Sequence, residues 1–79
     1  MSTVNLYALE VWKAHVQKSN VHALASSAEW ALMTRWAETV PLRVTLRAIE
    51  DTVTKPKTLM YYDRPVQEAY ERWRRSMVS

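Results

Sequence analysis

Six cations crowd the last third of the chain, with aromatic rings among them. Lys55, Lys57, Arg64, Arg72, Arg74 and Arg75 share that stretch with Tyr61, Tyr62 and Trp73. Ammonium and guanidinium groups neutralise phosphates and flat rings stack on unpaired bases, so this is the mixture that a single-stranded nucleic-acid surface uses. Arg43 and Arg47, one helical turn apart, supply a secondary basic face. The same residues also have a plain reading. Trp73 falls on an apolar helical repeat, one of two adjacent tyrosines usually packs inward, and arginines near a helix C-terminus are favoured by the macrodipole alone.

Catalytic chemistry has little to stand on. His15 and His22 are separated by a connecting segment, no acidic residue completes a metal set with them, and a three-ligand site needs more. Each is expected to be a satisfied or an exposed histidine. Ser26 and Ser27 follow His22 closely, but helix capping accounts for them and no third group orients a nucleophile and its base. The chain reads as a non-enzyme with no catalytic residue, metal or cofactor.

The charge is lopsided. Residues 1–40 set Lys13, Lys18 and Arg35 against Glu10, Glu29 and Glu38, whereas residues 41–79 set eight basic side chains against five acidic ones, so the second half carries the whole net charge of +3. A basic half points to an acidic partner, nucleic acid or an acidic protein surface.

Composition fixes what must position these groups. There is no cysteine, which excludes disulfides and thiolate metal sites and is compatible with a reducing cytoplasm. There is no glycine either, and hairpin turns, bulges and phosphate-cradling loops lean on glycine for positive φ, so a sheet or a nucleotide-binding loop is not expected. Without glycine, a residue such as Asn20 has to take the left-handed position where a helix needs one. No apolar run is long enough to span a membrane, and the N-terminus lacks the pattern of a secretory signal. The expected architecture is all-α: one helical domain over residues 1–79, a small orthogonal or up-down bundle of four to five short helices with no sheet. A domain of this size buries only about 60% of its unfolded surface, so four Trp and four Tyr carry much of its core.

The clearest amphipathic stretch is Pro41 to Val53, in which Leu42, Leu46, Ile49 and Val53 recur at helical spacing. It is expected to be the central helix. A first helix opens near Thr3 or Asn5 and runs to about Lys18, with Leu6, Leu9, Trp12 and Val16 on one side; Val21 and Leu24 then pin the following connection to the core. The second helix starts at a capping box, Ser26-x-x-Glu29, puts Trp30, Met33, Trp36 or Ala37, and Val40 inward, and stops before Pro41. Pro56 breaks the chain after Val53. Leu59 to Tyr62 forms either one helical turn or an extended anchor, and Asp63 and Pro65 open a last helix with Val66, Tyr70, Trp73 and Met77 in register. Glu68 with Arg72, and Glu71 with Arg75, are spaced to pair along it.

The order S-x-x-E-W-x-L-x-x-x-W, V-P-L-x-x-x-L-x-A-I-E, a basic break, K-T-L-M-Y and an apolar helix ending in Trp and basic residues resembles the C-terminal domain of DnaD-type primosomal replication proteins. The likeness spans about residues 6 to 75. It implies a small helical domain that binds single-stranded DNA within a replication complex, with Tyr61 and Trp73 matching the family's contact tyrosine and tryptophan. Here those two lie further apart than in the family pattern, with the Asp63-Arg64-Pro65 start signal between them.

The sequence-based expectation is therefore a non-catalytic nucleic-acid-binding module, single strand favoured over duplex, within a replication-type or CRISPR-type assembly of a prokaryote or phage. Its site would be Lys55, Lys57, Tyr61, Tyr62, Arg64, Arg72, Arg74 and Arg75, with Arg43 and Arg47 as the secondary face. The rival is a small protein–protein adaptor or inhibitor, such as a phage-encoded one, that binds an acidic protein surface. A third reading is a homo-oligomer formed through Trp12 or Met77.

Overall fold

Free of glycine and punctuated by prolines and polar caps, the chain forms four α-helices and no strand among the described residues. They are α1 (Thr3–Ser19), α2 (Ser27–Thr39), α3 (Leu42–Asp51) and α4 (Asp63–Val78), with a 3-10 turn, Leu59–Tyr62, running directly into α4. The computed structural model describes residues 3–22 and 24–78, and the side chains of residues 5–22 and 24–77.

The helix ends follow local chemistry. α1 closes on Asn20, whose φ of 54° is the left-handed value that a helix stop requires, and its amide bonds the Val16 carbonyl at 2.8 Å. α2 opens on the expected capping box: Glu29 N donates to Ser26 Oγ at 3.2 Å and Ser26 N to Glu29 Oε1 at 3.0 Å. Val40 leaves α2 at φ −112° and ψ 127°, the extended geometry forced on a residue before proline. Pro41 then leads into α3, and Thr52 ends it by folding its hydroxyl onto the Ala48 carbonyl at 2.8 Å.

α3 lies between α1 and α4, and α1 also packs on α2. Flanked on two sides, α3 buries more than one stripe: Val44, Thr45, Ala48 and Ile49 are buried while Leu42 and Leu46 are partly covered. The expected Leu42-Leu46-Ile49-Val53 stripe is thus one edge of the buried arc. Val53 is not part of it, for the helix has ended and its side chain is 95% exposed.

α1 departs further from expectation. Its buried positions are Tyr7, Ala8, Val11, His15 and Ser19, while Leu6 and Leu9 are about half exposed and Trp12 and Val16 only partly buried. Apolar residues surround most of this helix, and on the face that turns inward Tyr7 and Ser19 find hydrogen-bond partners. Tyr7 Oη donates to the Val40 carbonyl at 2.9 Å and shares a buried hydrogen bond with Thr45 Oγ1, tying α1 to the α2–α3 corner. Leu24 does not pin the connection, being 93% exposed. On α2, Met33, Trp36 and Val40 point inward as expected, joined by Leu32 in place of the exposed Trp30. Val66 of α4 is fully buried, Tyr70 and Trp73 partly so, and Met77 is exposed.

Candidate nucleic-acid interface

The segment between α3 and α4, together with the first residue of α4, is fastened at three points. Lys57 Nζ donates to the Ser19 carbonyl at the end of α1 at 2.9 Å, Leu59 N donates to Glu29 Oε2 at 3.0 Å, and Trp36 Nε1 donates to Asp63 Oδ1 at 3.2 Å. Thr58 caps the 3-10 turn, accepting from Met60 N at 3.4 Å. In this tight turn neighbouring side chains diverge. Leu59 and Tyr62 are fully buried, whereas Tyr61 is 54% exposed.

That divergence corrects part of the expected site. Tyr62 cannot stack on a base, because its ring is enclosed and its hydroxyl lies 3.4 Å from Ser19 Oγ; burial pushes its pKa up, against the pull of Ser19. Lys57 is exposed, yet its ammonium group serves as a tether to α1.

The remaining residues regroup. The α3–α4 junction is an open groove in which Arg43 and Arg47 of α3 meet Arg72 and Trp73 of α4 across a cleft of about 420 Å³. An adjoining cleft of about 410 Å³ shares Arg47, Asp51, Ala69 and Arg72 with it and is walled by Tyr61. A third, of about 350 Å³, continues past Tyr61 to Arg64. The secondary basic face and Arg72 are therefore one feature, together with Tyr61 and Arg64. Lys55, Arg74 and Arg75 are exposed but lie outside the lining of these clefts; Arg74 sits two positions from Arg72, about 200° round the helix.

Two of the groove arginines have partners. Arg47 Nε lies 3.3 Å from Asp51 Oδ2, and Arg64 Nε lies 3.2 Å from Glu68 Oε1, so Glu68 takes the arginine one turn earlier and not Arg72. Both pairs are largely exposed, where such pairs contribute about 0–1 kcal/mol, and a phosphate can replace either carboxylate at little cost. The sequence reading missed the groove floor. Ala48 and Ala69 leave it open, and their only signal is small size in segments that otherwise carry large apolar residues.

His15, expected to be satisfied or exposed, is neither. It is fully buried and neither ring nitrogen has a hydrogen-bond partner. His22 is exposed. Among the described residues no group of His, Asp and Glu is placed to hold a metal ion, and no helix is long and apolar enough to cross a membrane.

Comparison with known protein families, with curated proteins and with solved structures finds no match to this chain.

Proposed function

We propose that this chain is a small, non-catalytic nucleic-acid-binding module of the prokaryotic or phage cytoplasm that holds a single strand within a larger nucleoprotein assembly, of the replication or CRISPR type. The observation that carries this reading is the α3–α4 groove, where Arg43, Arg47, Arg64 and Arg72 line one continuous depression beside the exposed ring of Tyr61. Guanidinium groups on both banks suit a polyanion lying along the groove, and an open aromatic face suits an unpaired base. Lys55, Arg74 and Arg75 would add attraction from outside it. The DnaD-type resemblance supports the same direction. Fluorescence anisotropy with a labelled single strand and a labelled duplex tests it. Binding that weakens with salt at a log–log slope of about −3, for four displaced counterions on a single strand, is expected. Absence of binding to both at low salt and micromolar protein would end this reading.

A second reading rests on a different observation. Leu6, Leu9, Trp12 and Val16 of α1 form a partly exposed apolar flank, the kind of surface that monomers seldom leave uncovered. It favours an adaptor or inhibitor that docks on another protein, or a homo-oligomer, to which the exposed Met77 would contribute. Recovery of a defined protein from nuclease-treated extract supports the adaptor, and light scattering reads self-association directly.

A further inference from the structure

Two carboxylates stand in the groove proposed to hold a polyanion. Asp51 and Glu68 line the same cleft as Arg47, Arg72 and Tyr61. An ionised carboxylate only accepts hydrogen bonds and repels phosphate oxygens, so these two groups work against backbone contact at this spot. They are well suited to a different part of a strand. Amino groups on base edges are donors, and a carboxylate accepting from the cytosine N4 amino group is an established pairing.

The cleft between them has the character of a base site. Its floor, formed by Ala48, Ala69 and Pro65, offers short apolar side chains, Tyr61 gives it an aromatic wall, and its volume is about 410 Å³. That size lies within the range of roughly 300 to 1,000 Å³ typical of pockets for small molecules. The cations sit around it: Arg47 and Arg64 each hold one of the carboxylates, and Arg72 faces the same space. Phosphates would meet the guanidiniums of Arg43, Arg64 and Arg72, and the apolar floor has nothing to offer them.

We infer that the α3–α4 cleft takes one unstacked base of the strand, lying against Tyr61 and donating its exocyclic amino group to Asp51 or Glu68. This rests on the nucleic-acid reading and adds a selectivity that electrostatics alone does not give. Cytosine and adenine present an amino group, whereas thymine presents the O4 acceptor at the equivalent place, which faces a carboxylate unfavourably.

The test uses the full chain and four labelled strands of equal length: oligo-dC, oligo-dA, oligo-dT and an abasic deoxyribose-phosphate strand. Oligo-dC and oligo-dA should bind at least about fivefold more tightly than oligo-dT, and the abasic strand should bind most weakly. In the Asp51→Ala, Glu68→Ala double variant, at two exposed helix positions where alanine is well tolerated, oligo-dT and the abasic strand should bind somewhat more tightly because two negative charges are gone, whereas oligo-dC and oligo-dA also lose the acceptor of their amino group and should not share that gain. The discrimination between dC and dT should shrink toward unity. A purely electrostatic role for the two carboxylates would raise all affinities without changing that ratio. Equal binding of all four strands, or preference for oligo-dT, overturns the base site and leaves the electrostatic groove standing. Failure of every strand to bind at low salt overturns the groove reading, and this inference with it.

Discussion

The His15 ring stands edge-on to the Tyr62 ring, with centroids 5.6 Å apart and an interplanar angle of 85°, while the Trp12 ring tilts against it at 5.1 Å. Around this stack run the bonds that fasten the segment after α3: Lys57 to the Ser19 carbonyl, Ser19 to Tyr62, and Leu59 to Glu29. A histidine with two unpartnered nitrogens therefore sits inside the fastening of the segment that presents Tyr61.

Its protonation should loosen that fastening. Burial lowers the His15 pKa below its ordinary 6.5; the Glu29 carboxylate and the Lys57 carbonyl oppose the shift, and the Lys57 charge reinforces it. Below pH 6.5 the unfolded chain binds this proton more readily than the folded one. Stability from this group is thus complete above pH 6.5 and falls as pH drops through that value toward the lower folded pKa. Replacing His15 with Leu should flatten this limb and, by removing two unsatisfied polar atoms, gain up to about 1 kcal/mol near neutrality. Thermal unfolding of both proteins across the acid range checks it, and an unchanged acid limb in the variant would remove His15 as the cause. Glu29 acts in a lower window. Partial burial raises its pKa, but the hydrogen bonds from Ser26 and Leu59, with His15 nearby, outweigh that and leave it below the ordinary 4.5, so its contribution fades only as pH falls below that value.

Glu29 should matter more than the cap it completes. One carboxylate oxygen closes the capping box on Ser26 N and the other receives Leu59 N at 3.0 Å from a different part of the chain. Ser26→Ala removes a cap and should cost about 1 kcal/mol. Glu29→Ala also leaves a partly buried amide without its charged acceptor, and should cost about 2 kcal/mol or more. Equal losses for the two variants in denaturant titrations would show that the tie to Leu59 contributes nothing.

Tyr7 and Thr45 should behave as a coupled pair. Tyr7→Phe deprives the Val40 carbonyl and the Thr45 hydroxyl of one buried partner and should cost about 1–2 kcal/mol. Adding Thr45→Val removes the hydroxyl that the first change stranded, so the double variant should be more stable than the sum of the single losses predicts. Strict additivity in the cycle would mean that the two hydroxyls are energetically independent.

The helical architecture was legible because local signals agreed. The missing glycines argue against sheet, Ser26 and Glu29 mark a start, Pro41 marks a corner, and Asn20 takes the left-handed stop. Which face of each helix turns inward was less legible. On α1 leucines lie on the water side while Tyr7, Ala8, His15 and Ser19 lie inside, because the bonds of Tyr7 and Ser19 and the ring contact of His15 with Tyr62 are made to other parts of the chain, and periodicity within one helix does not register them. Which of the basic and aromatic residues stand together was not legible. Arg43, Arg47 and Arg72 become neighbours only through the packing of α3 on α4, and Tyr61 and Tyr62 part company only because a 3-10 turn separates their directions.

That regrouping predicts which cations matter for binding. Arg43 and Arg72 line the groove and have no carboxylate within ion-pair distance among the described residues, so alanine at either should weaken strand binding. For a single strand each lost phosphate contact should reduce the magnitude of the salt slope by about 0.7. Arg74 lies on a different side of α4, and its replacement should leave the slope nearly unchanged. Lys57 separates the two kinds of effect. Because its ammonium group bonds the Ser19 carbonyl at 2.9 Å, Lys57→Ala should lower the unfolding free energy by about 1 kcal/mol while barely altering the slope. If Lys57→Ala and Arg74→Ala cut the slope as deeply as Arg43→Ala, the strand does not follow the groove, and binding is spread over the whole basic surface of the second half.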